Sequence, residues 1–216
     1  VLFDTLVERL SEDEIAAAAA SVGASFTGKL AVTGTSGPGL ALKSETISLA
    51  LSAELPLVVV NVQRGGPSTG LPTKPEQSDL MFALYGRHGE SPLPVVAAKS
   101  PSHAFYAAFE ASRIALKYMT PVILLSDNYV ATGSEPWNLP DTDGLKDLDT
   151  NIITKLNTED GFLPFLRNVD TFARPWALPG TPGLEYRVGG LEKEEGTGNV
   201  SYDSANHQYM TDMRAW

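Results

Sequence analysis

The run LPLVVVNV, Leu55 to Val62, constrains this chain more than any other stretch. Its residues Leu57 to Val60 are apolar without interruption, so a strand made from them needs cover on both faces. The loop that follows, QRGGPSTGLPTK, carries three glycines, two prolines, one arginine and one lysine. A buried strand running into such a loop suits an open parallel sheet, where ligands bind outside the carboxyl ends of the strands.

A phosphate-binding P-loop is the first reading to test, and it fails. Gly65 and Gly70 have the right gap, but Leu71 stands where the motif requires lysine. Pro67 and Pro72 also lack the backbone N–H donors through which a phosphate cradle works.

Residues 1–133 alternate helical and strand-like runs. Glu12 to Phe26, rich in alanine, reads as a helix that Gly28 can end. Lys29 to Thr35 reads as a strand, SGPG as a turn, and Leu40 to Glu54 as a second helix. PEQSDLMFALYG reads as a helix and Leu93 to Ala98 as a third strand. Pro101 to Met119 reads as a long helix capped by Ser100 or Ser102, and Thr120 to Ser126 as the fourth strand. This order predicts an α/β fold: a doubly wound parallel sheet with helices on both faces. Residues 35–39, 63–70 and 126–128 then fall at strand carboxyl ends and should share one rim. Residues 134–216 are rich in Gly, Pro and charge and show little period. They read as an irregular C-terminal extension, either an arm over another surface or a set of long surface loops. The chain begins on Val, and the expectation is a piece of something longer.

Composition narrows the function. A net charge of -10 without a basic run argues against nucleic acid, whose phosphates need Lys and Arg. The absence of cysteine excludes disulfides and cysteine-ligated iron–sulfur clusters on these residues. Three histidines, His88, His103 and His207, do not suggest a His-rich metal site, and no metal is expected here. No apolar run approaches the roughly 18 residues of a membrane helix. No basic segment with a long apolar stretch opens the chain. The expectation is a cytoplasmic protein that meets neither membrane nor nucleic acid.

Three stretches line up with a known family: SEDEIAAAAASVGA, the turn TSGPG, and VQRGGPSTGLPTKPEQSDL. With TPVILLSD they resemble the alpha subunit of 2-oxoacid:ferredoxin oxidoreductases, of the 2-oxoglutarate type above all. TSGPG is the weaker marker, since other thiamine-diphosphate enzymes such as acetolactate synthases carry a similar turn. The resemblance implies the pyrimidine-binding fold, with thiamine diphosphate held between two such domains. In the family the diphosphate and Mg²⁺ are held through a G-D-G motif, which does not occur in these residues. The resemblance therefore implies a beta subunit that supplies diphosphate binding, Mg²⁺ and an iron–sulfur cluster. It also implies ferredoxin, coenzyme A and a 2-oxo acid as partners, and an alpha–alpha dimer within a heteromer.

The resemblance assigns roles to residues. Glu14 matches the family's catalytic glutamate, whose carboxyl bonds the aminopyrimidine and promotes activation of the thiazolium carbon. Ala16 to Ala20 would let a ring and a neighbouring subunit come close. From spacing alone, Ser11-x-x-Glu14 is also a capping box in which Glu14 serves only the helix end. Glu12 and Asp13 read as first-turn acids that favour the helix dipole. Thr35, Ser36, Gly37, Pro38 and Gly39 would bring backbone close to the cofactor, with Gly37 and Gly39 permitting positive φ. The same residues also suit an ordinary strand–helix turn with Pro38 opening the helix. Arg64 matches the family's substrate arginine, and a guanidinium can grip a carboxylate through two parallel hydrogen bonds. Gly65, Gly66 and Gly70 would let the loop close, and Ser68, Thr69 and Lys74 would reach a distal carboxylate. Arg64 paired with Asp79 or Glu90 is the structural alternative. His88 either lines the pocket or bonds a backbone carbonyl.

The family's Y-P-I-T-P stretch before the glutamate is absent from Val1 to Ser11. Its threonine helps to bind the substrate carboxylate, so one wall of the site is missing from these residues. Two other readings stand beside the oxidoreductase. One is a fragment of a non-redox thiamine-diphosphate decarboxylase or synthase; the other is a non-catalytic scaffold that kept the fold.

Overall fold

The computed structural model describes residues 13–145 and 148–216. Four parallel strands form the sheet in the order β1-β2-β4-β3: β1 Ala31–Thr35, β2 Leu57–Gln63, β3 Val95–Ala97 and β4 Pro121–Asp127. Helices α1 Glu14–Phe26, α2 Gly37–Ala53, α3 Leu80–Tyr85, α4 Pro101–Tyr118 and α5 Asn128–Thr132 alternate with them. The doubly wound parallel sheet expected from the sequence is present.

Its topology explains where the helices lie. The chain steps one way across the sheet from β1 to β2 and on to β3, then steps back to β4. Crossovers of one hand place the connecting helix on opposite faces when the direction reverses. Leu40, Ile47 and Ala50 of α2 accordingly pack with Leu57, Val59, Ile123 and Leu125. Ala107, Ala111 and Ala115 of α4 pack with Val58, Val122 and Leu124 on the other face. The alanines recur every fourth residue, so α4 presents a small-residue face and comes close to the branched side chains beneath it.

Local signals set several boundaries. The Ser100 hydroxyl accepts from the His103 N–H and caps α4. Gly28 follows the end of α1 with φ +90°, the left-handed position that favours glycine. Helix α2 begins at Gly37, earlier than expected, because Pro38 is already set for a first turn. Gly37 and Gly39 are therefore helical and do not use positive φ. Helix α3 is shorter than PEQSDLMFALYG suggested. Glu76, Gln77 and Asp79 instead spend their polar groups on Gly66, Asp127 and Gln63.

The C-terminal residues fold against the end of the sheet remote from the loop rim. Trp176 and Ala173 are buried with Leu116 and Met119. The guanidinium of Arg174, fully buried, donates to Ala53 O and Glu54 O at the end of α2. This segment also holds the 3-10 turn Thr142–Gly144, the short parallel pair β5 Ile152–Ile153 and β6 Trp176–Ala177, and helix α6 Ser204–Ala215. The sequence reading found no helix at α6. Its apolar residues are sparse, and its hold comes from the Asp203 cap and the burial of Met210 and Thr211.

Helix α6 is tied down by Glu192, which accepts from Arg214 Nη2 at 3.2 Å and meets His207 Nδ1 at 2.6 Å. Burial alone would push this carboxyl up. The hydrogen bonds and charge of Arg214, the His207 contact and the Lys193 N–H outweigh burial and hold it at about 2, against an ordinary 4.5. A depressed carboxyl stabilises the fold above its unfolded pKa and loses that contribution as pH falls through the folded one. The arrangement should stabilise the fold near neutral pH, a contribution lost between about pH 5 and 2. In acid titrations followed by circular dichroism, Glu192→Gln should flatten the stability profile in that window. Parallel profiles for the two proteins would overturn the assignment.

Candidate active site

Asp13, not Ser11, is the N-cap of α1, and its carboxylate accepts from the Ala16 N–H at 2.7 Å. Ser11 and Glu12 lie outside the described residues. The cap role expected of Ser11 and Glu14 is thus filled by Asp13, which is not a first-turn acid. Glu14 is the first helical residue, half-buried, and its carboxyl makes no hydrogen bond to another described residue. Of the alanines after it, Ala18 is buried while Ala16, Ala19 and Ala20 face outward.

Glu14 meets the start of α2. A Cβ at Gly39 would lie 1.9 Å from Thr35 Oγ1, 2.7 Å from Glu14 Cγ and 3.0 Å from Glu14 Oε1. Gly39 therefore serves by its missing side chain, not by positive φ. The carboxyl lies near the N-terminus of a 17-residue helix, where the backbone favours negative charge. Ser36 is the N-cap of that helix by backbone position, with no side-chain cap bond.

Arg64 leaves the end of β2 in a loop folded on itself. Gly65 N–H donates to Lys74 O, Leu71 N–H to Gly65 O, and Gly66 N–H to the Glu76 carboxylate at 2.9 Å. Gly70 has φ +36°, and a Cβ there would lie 2.4 Å from Gly65 O, so the turn needs glycine. Ser68 also takes a positive φ, at 57°. The loop bounds an open cleft of about 670 Å³ lined by Gly37, Pro38, Arg64, Ser68, Glu76 and Asp79, among others. Thr35 is the residue before the cap of α2, so Glu14, Thr35 to Gly39 and Arg64 gather at one rim. Thr69 and Lys74 are exposed and do not line the cleft; His88 is exposed and lies outside it.

Arg64 forms no ion pair with Asp79 or Glu90. Its Nε is buried without a hydrogen-bond partner. Asp79 is engaged elsewhere: its Oδ2 accepts from Asn61 Nδ2 at 2.9 Å, and its N–H donates to Gln63 Oε1. Gln63 Nε2 reaches Ser126 O, and Gln77 Nε2 reaches Asp127 Oδ2. Burial would push the Asp127 carboxyl up, but the Val130 and Tyr129 N–H groups and Gln77 hold it below its usual range. This network under the loop was missed in the sequence. A signal existed, since Asn61 and Gln63 alternate at the end of an otherwise apolar strand. Lys43, buried beneath Glu14, was also missed.

The parallel sheet carries a glutamate and a small-residue helix start on one rim, and the comparison with known families places this α/β domain in the thiamine-diphosphate-binding class. The family described as pyruvate flavodoxin/ferredoxin oxidoreductase, thiamine diphosphate-binding, matches residues 4–200. The chain belongs to that family. It is 53% identical to the 2-oxoglutarate oxidoreductase subunit KorA of Mycobacterium tuberculosis, over 94% of this chain and 31% of that protein. It is 36% identical to 2-oxoacid:ferredoxin oxidoreductase 1, subunit alpha, of Aeropyrum pernix, over 94% of this chain and 31% of that one. A solved structure of 2-oxoglutarate:ferredoxin oxidoreductase from Magnetococcus marinus, with 2-oxoglutarate, coenzyme A and succinyl-CoA bound, superposes with a TM-score of 0.86. Its sequence is 39% identical, and the match covers 94% of this chain and 35% of that one. The chain thus spans about a third of the length of these relatives.

Gly39→Ala tests the contact that defines the rim. Overpacking costs about 1–3 kcal/mol, partly offset by about 1 kcal/mol from alanine's helix propensity. The melting temperature should fall by only a few degrees, while a crystal structure should show the Thr35 and Glu14 side chains displaced. An undisturbed Glu14 would mean that the glycine is not needed there.

Proposed function

We propose that this chain is the pyrimidine-side part of the alpha subunit of a 2-oxoacid:ferredoxin oxidoreductase, with 2-oxoglutarate as the substrate. The reaction converts 2-oxoglutarate, coenzyme A and two oxidised ferredoxins into succinyl-CoA, CO₂, two reduced ferredoxins and a proton. In this reading residues 1–133 are the cofactor domain, residues 134–216 an extension, and both belong to a longer chain. A beta subunit holds the diphosphate with Mg²⁺ and carries the iron–sulfur cluster, and two alpha subunits meet in the heteromer. The setting is the cytoplasm; no helix among the described residues is long and apolar enough to cross a membrane.

The residues fit an aminopyrimidine. Glu14 offers a carboxyl that bonds no other described residue, and the missing Cβ of Gly39 makes room for its side chain. Thiamine diphosphate, when bound, supplies the carbanion chemistry that decarboxylation of a 2-oxo acid needs. Glu14 would hold a proton at a ring nitrogen, with Thr35 to Gly39 forming the adjacent wall.

The observation that carries the substrate reading is Arg64. A half-buried guanidinium with no ion pair among the described residues, opening on a cleft, keeps its hydrogen-bonding fork available. A carboxylate can take that fork through two parallel bonds, which lysine cannot reproduce. Ser68, in the same cleft, can add a hydroxyl donor. Glu76 and Asp79 are bound to Gly66 and Asn61, which keeps these acids from closing on Arg64.

Two substitutions test this in the assembled enzyme. Glu14→Ala should lower kcat by about 10²–10⁴-fold while leaving assembly intact; unchanged turnover removes Glu14 from the chemistry. Arg64→Ala should lower kcat/KM for 2-oxoglutarate by about 10²-fold, mostly through KM, as expected for loss of charge-assisted hydrogen bonds. Unaltered kinetics would remove Arg64 from the substrate site.

A further inference from the structure

Lys43 lies four residues after Gly39, one turn along the same face of α2. It is completely buried. Among the described residues no carboxylate stands within ion-pair distance of its ammonium. The ammonium instead donates to the main-chain oxygen of Glu14 at 3.0 Å and to Thr33 Oγ1 at 3.2 Å. Burial lowers the Lys43 pKa, while the charges of Glu14 and Asp13 act to raise it.

Such a placement is expensive. A buried ammonium loses far more hydration than an amide does, and an apolar residue of similar volume often replaces a buried charge without loss of stability. Packing alone does not call for lysine here. What lysine adds is reach and direction: one side chain ties α2 and β1 to the first residue of α1. The first turn of a helix is where the backbone is least held, because its N–H groups have no partners within the helix. Glu14 sits in that turn. Successive turns of α2 thus act on the same glutamate. Gly39 makes room for its side chain, and Lys43 holds its carbonyl.

We infer that Lys43 is a positioning residue for Glu14, fixing the main chain from which the carboxyl reaches the rim. The inference rests on the catalytic reading of Glu14 given above. It predicts that Lys43 acts through Glu14 alone, with no contact to substrate.

The test is a double-mutant cycle in the assembled full-length enzyme, assayed with 2-oxoglutarate, coenzyme A and a viologen acceptor. Lys43→Met, close in volume and uncharged, should lower kcat by about tenfold or more and leave KM for 2-oxoglutarate within about twofold. Added to Glu14→Gln, it should cost nothing further, because the group it positions is already disabled. Wild-type kcat in Lys43→Met, or losses that multiply in the double variant, would overturn the inference. Should Lys43→Met not accumulate as folded protein, Lys43→Leu, which likewise has no donor, enters the same cycle with the same two outcomes. If Glu14→Gln itself turns over normally, the catalytic reading fails, and hydrogen exchange then decides the anchor. Exchange at Ala17 and Ala18 about tenfold faster in Lys43→Met, with β2 and α4 unchanged, supports it, and unchanged exchange overturns it.

Discussion

The pairing of β2 with β4 is the constraint on which the rest depends. Leu57 to Gln63 run in register with Pro121 to Asp127 at the centre of the sheet. Neither strand faces water, so apolar side chains fill both sides for most of their length. Backbone polar groups are satisfied by the ladder, and helices must cover the two faces. The helices, in turn, force every connection out to the ends of the strands. The carboxyl ends receive the Gly-rich turns and the loop after β2.

The change from apolar to polar along β2 and β4 marks where the interior stops and the rim begins. Asn61, Gln63 and Asp127 are still buried, yet each bonds a group from a loop or helix start. These bonds hold Gln77 and Asp79 in place and leave Arg64 without an acidic partner. The rim therefore has two kinds of polar residue. Most are satisfied within the chain and give the loop its shape. Among the described residues the side chains of Glu14 and Arg64 make no hydrogen bond, which suits them to the cofactor and substrate proposed above.

The remote end of the sheet follows a different logic. Glu54 ends α2 in a left-handed conformation, with φ 52°, and its carboxylate pairs with Arg167 at 2.6 Å. Arg174 and Lys193 are buried beside the Phe165 ring, with their donors on backbone carbonyls. Burial lowers the Lys193 ammonium to about 8. These contacts between distant parts of the chain close the bottom of the domain against its C-terminal residues. They concern folding, whereas Glu14 and Arg64 lie at the opposite end.

What the sequence by itself determined is the sheet and the general location of the site. Unbroken apolar runs, alanine-rich helices and Gly-rich turns are local patterns, and local patterns survive without knowledge of distant contacts. Glu14, the TSGPG turn and Arg64 were singled out by the resemblance to a known family; by local pattern alone they read equally as a helix cap, a strand–helix turn and a loop arginine. The tertiary structure alone decided what those residues touch. That Asp13 takes the cap, that the Glu14 carboxyl bonds no other described residue, and that Gly39 matters for its missing Cβ were seen only in the folded structure, the last through the docking of α1 on α2. That PEQSD stays outside helix α3, and that α6 forms at all, depend on partners far along the chain. The same holds for Lys43, which looks like an ordinary exposed helix lysine in sequence. It becomes a buried anchor only because α1 and β1 close over it, and no local pattern records that closure.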